Sequence, residues 1–186
     1  PHGQTVQDHF QEAVRQFTAE TVDAVCSGRT DAGVHALEQV VHLDTSVDRK
    51  LESWVRALNS LLPPSISVNW VQPVSNDFHA RFSATARTYI YVVRNDRVRS
   101  PLVRQRVGWM FYKLNLAPMK EAAALLMGEH DFSSFRASEC QAASPVRNLQ
   151  QIRIEQCGAY YVFTFKANAF LHHMVRNLMG TLIYVG

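Results

Sequence analysis

Cysteine is scarce in this chain of 186 residues: Cys26, Cys140 and Cys157 are odd in number and far apart. Such usage speaks against a disulfide framework or a zinc cluster and suits a reducing compartment. No apolar run approaches the roughly 18 residues of a membrane span. No basic leader runs into a short apolar stretch and a cleavage site. A cytoplasmic protein without a membrane partner is expected. Lysine is scarce as well. Only Lys50, Lys113, Lys120 and Lys166 accompany fifteen arginines, and the net charge is +3. The flat guanidinium fork suits phosphates and stacks on bases, so the bias favours RNA, although a genome rich in G and C produces the same bias. Hydrophobic residues make up 47% and charged residues 19%, which excludes a disordered chain. The length allows one large domain or two small ones.

The chain is organised around Ser27-Gly28-Arg29-Thr30-Asp31-Ala32-Gly33-Val34-His35-Ala36. Alternation and β-branching over 21–26 predict a strand before it, and 38–43 a second strand after it. Glycine permits backbone angles that other residues avoid and lets a large partner approach the main chain. Asp31 is therefore a carboxylate shown on a tight loop, with the Arg29 guanidinium two residues before it. An Asp between glycines is also an ordinary turn residue, bonding its own backbone.

A helix is expected to begin near Thr5, with Val6, Phe10, Val14 and Phe17 on one apolar face. A second follows Asp48 and stops at Pro63-Pro64. The stretches 66–71 and 87–93 read as strands. The segment from Arg94 to Arg106 holds five arginines, one Asp and a proline, and reads as an interdomain connection with a phosphate-facing surface. A solvated linker has the same composition. Beyond it come a strand over 107–112, a helix opened by Pro118 and closed by Gly128, and paired strands over 149–154 and 160–165 around Gly158. A last helix is expected from about Phe170 to Tyr184. Two successive helix-and-sheet units make an α+β protein with antiparallel sheets, divided here as 1–98 and 99–186.

Three segments carry a family resemblance that spans the chain from Gln4-Thr5-Val6-Gln7 to Tyr184-Val185-Gly186. Gly28 to Ala36, the run Asp77-Phe78-His79-Ala80-Arg81-Phe82-Ser83-Ala84 continuing to Tyr91, and Phe170 to Gly180 resemble the three signatures of the TruA family of tRNA pseudouridine synthases. The resemblance implies two ferredoxin-like or RRM-like halves forming a pseudouridine synthase fold with a central active-site cleft. It implies an isomerase that converts uridine to pseudouridine at positions 38–40 of the tRNA anticodon stem-loop, without cofactor and as a homodimer. Asp31 corresponds to the catalytic residue, acting as nucleophile or base. Arg176 would pair with that carboxylate, Tyr89 would stack on the target base, and Arg29 would enter the space left by the flipped nucleotide. Asp131 to Arg136 and Ser144 to Arg147 also resemble family segments, read as RNA-contacting framework.

His172 and His173 are adjacent, and adjacent positions on a helix point about 100° apart, so no metal is assigned to them. Members of the family normally carry a strand and a glycine- and aromatic-rich segment upstream of Pro1, and a helix and strand beyond Gly186. The sequence therefore reads as truncated at both ends. Two rival functions stand beside the synthase. One is an RNA-binding or chaperone module that does no chemistry. The other is an aspartate-dependent hydrolase, disfavoured because no second carboxylate besides Asp77 lies in the three segments.

Overall fold

Thr5 opens the first helix through a reciprocal cap. Its Oγ1 accepts the Asp8 N–H at 3.1 Å, while Asp8 Oδ2 accepts the Thr5 N–H at 2.9 Å. Two donors that a helix start leaves over are thus satisfied. The computed structural model describes residues 5–186, so Gln4, where the family resemblance starts, lies outside the described residues. The chain forms two compact units, one ending at Ala84 and one running Thr85–Gly186.

The first unit contains α1 (Val6–Thr18), β1 (Val25–Cys26), β2 (Val41–His42) and α2 (Leu51–Leu61). Ala13, Val14, Val22, Trp54, Leu58 and Leu62 form its buried core, and Phe17 meets Trp54 edge-on at 4.9 Å. Val6 departs from the expected apolar face: it lies in the first turn, beyond the reach of α2, and is 64% exposed. The strands expected over 21–26 and 38–43 shrink to one antiparallel ladder of two residues each, Val25 opposite His42 and Cys26 opposite Val41. The segment 66–71 is no strand. The Asn59 side chain takes over its pairing, accepting from the Val68 N–H at 2.7 Å and donating to the Val68 carbonyl at 2.8 Å.

The second unit contains β3 (Arg87–Asn95), β4 (Gly108–Met110), α3 (Leu116–Leu125), β5 (Gly128–Asp131), β6 (Val146–Cys157), β7 (Tyr160–Ala167) and α4 (Met174–Val185). Its five strands run in the order β4-β3-β7-β6-β5. The alternation of β7 is clear. Tyr161, Phe163, Phe165 and Ala167 are buried on one face, in a core completed by Met119 of α3 and Met174, Leu178 and Leu182 of α4. Each such large side chain contributes about 1.5–3 kcal/mol.

The sheet is mixed rather than antiparallel throughout, because β3 and β4 pair in parallel with Val93 opposite Gly108. A parallel pair needs a connection that returns the chain to the same end. The arginine-rich stretch supplies it, through a single 3₁₀ turn at Pro101–Val103, and so it connects two strands of one unit. Asn115, whose side chain accepts the Ala117 N–H at 3.2 Å, starts α3, which places Pro118 in the first turn and not at the opening. Among the described residues no helix is long and apolar enough to cross a membrane.

Candidate functional site

In the first unit the loop after β1 is fastened by one side chain. The Ser27 N–H reaches the Val40 carbonyl at 2.8 Å and lengthens the β1–β2 ladder. Gln39 then clasps the loop entrance. Its Oε1 accepts from Ser27 Oγ at 2.7 Å and from the Gly28 N–H at 3.3 Å, and its Nε2 donates to the Gly28 carbonyl at 2.6 Å. The amide thereby serves both backbone groups of Gly28, as a neighbouring strand would. Further round, the Val34 N–H bonds the Asp31 carbonyl at 3.1 Å, and Gly33 sits at φ +83°. A Cβ at Gly33 would meet nothing within 4 Å, so glycine is required for the backbone angle and not for space. Asp31 is half-buried on this loop and Arg29 is exposed.

Immediately beyond the loop, His42 of β2 ties it to the segment 77–83. His42 Nδ1 accepts the Ala80 N–H at 3.1 Å, and the His42 ring lies 4.7 Å from His79 and 6.1 Å, edge-on, from Phe78. His79 Nδ1 accepts from the Arg81 and Phe82 N–H groups, each at 3.2 Å. Both rings thus present Nδ1 to backbone N–H groups. Phe82 is 77% exposed and lies 4.2 Å from the His79 ring.

Tyr89 and Arg176 belong to the second unit. Tyr89 stands on β3 opposite Phe165, half-buried, with its ring edge-on to Phe170 at 5.1 Å. Arg176 is exposed in the first turn of α4. That helix begins at Met174, so His172 and His173 precede it. His173 takes the left-handed conformation, φ +60°, and its ring lies 4.0 Å from that of His172. The helical-wheel separation expected for this pair therefore does not apply.

The approach to α4 is held from several sides. The His172 carbonyl accepts the Ala137 N–H at 2.9 Å, and Asn177 Nδ2 donates to the Phe135 carbonyl at 2.9 Å. The Ala142 and His172 N–H groups point at the Cys140 sulfur and hold its thiol below the ordinary range. Asp131, kept below the usual carboxylate range by hydrogen bonds from Ser133, closes the turn that carries Phe135. The segment 131–136 is thus framework for α4, with Phe132 only 1% exposed.

Gln39 and His42 were not singled out in the sequence. Their work is done across gaps of 11 and 38 residues, and no local pattern marks it.

A family model described as tRNA pseudouridine synthase matches residues 1–83 and 122–186, which include Arg29, Asp31 and Arg176. The chain belongs to that family. Its relatives agree over the whole length. The tRNA pseudouridine synthase A of Methylibium petroleiphilum is 58% identical over 186 residues, covering 100% of this chain and 72% of its own. The proteins of the same name from Bordetella petrii and Herminiimonas arsenicoxydans are 57% and 56% identical, again over 100% of this chain and 70% and 69% of theirs. Tyr89 and the stretch 94–106 fall between the two matched segments of the family model and are covered by the relatives.

Proposed function

We propose that this chain isomerises uridine to pseudouridine in tRNA, at positions 38–40 of the anticodon stem-loop. The observation that carries the reading is Asp31 on a loop fastened by Gln39 and turned at Gly33, within a chain that belongs to the tRNA pseudouridine synthases. In the reaction the N1–C1′ bond breaks, the uracil turns, and a C5–C1′ bond forms. C5 loses a proton and N1 gains one, so the change is redox-neutral. A carboxylate serves such a step as nucleophile or as base, and both roles require it ionised and directed.

Arg176 is assigned to pairing with that carboxylate in the reacting complex, where its fork keeps the charge in place. Tyr89 is assigned to stacking on the uracil, and Arg29 to filling the place of the extruded nucleotide. The enzyme works as a cytoplasmic homodimer in this reading, and sedimentation equilibrium of the purified chain tests the dimer.

The deciding experiment is tritium release from tRNA containing [5-³H]uridine. Release by the parent and none by Asp31→Ala, with tRNA binding retained, is the expected result. Equal release by both removes Asp31 from the mechanism. Binding by both with release by neither leaves an RNA-binding protein without chemistry.

A further inference from the structure

The connection between β3 and β4 borders a half-open cavity of about 560 Å³ whose lining includes Arg94, Arg99, Ser100, Arg104, Gln105 and Trp109. That volume lies within the range of about 300–1,000 Å³ that small ligands and nucleotides occupy. Its charge is one-sided. Asp96 engages Arg94 Nη2 at 2.5 Å, while Arg99 and Arg104 have no acidic partner among the described residues. Arg94 also carries a buried Nε–H that finds no acceptor among the described residues. That donor is sealed from solvent, so contact with a ligand falls to Arg99 and Arg104, both exposed.

An aromatic platform borders these cations. Trp109 Nε1 donates to the Asp96 carbonyl at 2.9 Å, which fixes the indole while its ring stays 44% exposed. Phe111 lies 5.8 Å from Trp109, and Tyr112 lies 3.9 Å from Phe111, so exposed rings continue along the chain. Guanidinium groups beside an exposed, immobilised indole recognise a phosphate with its base.

We propose that this cavity of the second unit is an RNA site, which holds a phosphate of the tRNA substrate between Arg99 and Arg104 with a nucleobase on Trp109. The proposal rests on the reading of tRNA as substrate. It concerns residues that the family model leaves unmatched.

Affinity for a tRNA transcript, measured by fluorescence anisotropy across a salt series, tests it. Losing one neutralised phosphate flattens the dependence of log K on log salt by about one unit. Arg99→Gln/Arg104→Gln removes the single phosphate contact and is expected to lower the slope by about one. The control Arg15→Gln/Arg153→Gln removes the same charge from arginines already engaged by Glu12 and Glu155, and is expected to keep the parental slope. Trp109→Leu is expected to weaken binding roughly fivefold or more with the slope unchanged. Equal slopes for the two double variants overturn the proposal.

The unmodified protein supplies a second reading should the variants misfold. Its ¹⁵N-labelled arginine Nε–H signals are recorded during titration with the tRNA transcript, and the Arg99 and Arg104 signals are expected to shift. No shift at saturation overturns the site, and so does a shift produced by sodium phosphate but not by RNA. Tritium release is scored separately. A parent that binds tRNA through this cavity without releasing tritium defeats the isomerase reading alone, and one that releases tritium with matched slopes defeats this site alone.

Discussion

Gln39→Ala removes three hydrogen bonds at one stroke: those to Ser27 Oγ, the Gly28 N–H and the Gly28 carbonyl. All three are exposed, so each is set near the low end of the usual net value, about 0.5 kcal/mol, and the set near 1–2 kcal/mol. No core is opened and no charge is removed. The energy falls on the loop, whose fastened form becomes about 5–30 times less favoured. If Asp31 reacts only from the fastened loop, kcat for tRNA isomerisation falls by up to that factor while KM stays within about twofold. Exchange of the Gly28 amide with solvent rises in parallel, which hydrogen-exchange NMR reads directly. The two quantities must move together. Faster exchange with an unchanged kcat would show that the clasp and the chemistry are independent, and a loss confined to KM would place Gln39 in RNA binding instead.

Four further outcomes are expected. Gly33→Ala introduces no clash but forces alanine to φ +83°, so the loop weakens by about 1–2 kcal/mol, and Gly33→Asn loses less activity than Gly33→Ala. Thr5→Ala removes the acceptor for the Asp8 N–H and lowers stability by about 1 kcal/mol, seen as a lower thermal midpoint of the first unit. Phe163→Ala empties a fully buried position between the sheet and α4 and destabilises the second unit by about 3–5 kcal/mol in urea unfolding.

The last concerns acid. Hydrogen bonds from Arg15 and Gln16 lower the Glu12 carboxyl from 4.5 to about 2. A folded-state value below the unfolded one means that the contribution is complete above pH 4.5 and vanishes as the pH falls towards 2. The thermal midpoints of the parent and Glu12→Gln therefore differ by a constant amount near neutrality and converge in acid. A gap that persists at the acid end contradicts the assignment.

Where the chain makes its own contacts locally, the sequence is legible. The Thr5–Asp8 cap, the stop of α2 before Pro63-Pro64 and the alternation of β7 are each decided within a few residues, and all three appear where the pattern puts them. Elements decided from a distance read less well. The stretch 66–71 has strand composition, yet Asn59 supplies its pairing. Gly128–Asp131 has no apolar pattern and becomes β5 only because β6 is long enough to pair with it. His173 reads as part of a helix, but its left-handed backbone starts α4 one residue later. Of the site residues, Asp31 and Arg29 stand on the loop where the sequence puts them. Gln39 and His42 act across the first unit and are visible only once it is folded.

The register of β3 bears on how the protein is made. Its main partner is β7, with Arg87 opposite Ala167 and Arg94 opposite Tyr160, so every rung joins residues far apart in the chain. Among the described residues its only earlier partner is β4, three residues long, and a two-stranded pair of that size is marginal in water. β3 therefore gains its main partner only once β7 has been synthesised. The β6–β7 pairing is local, whereas the β3–β7 pairing has high contact order and carries the larger loop-closure cost. Arg87 and Arg94 put a positive charge near each end of β3, which disfavours edge-to-edge association of that strand whenever it is unpaired.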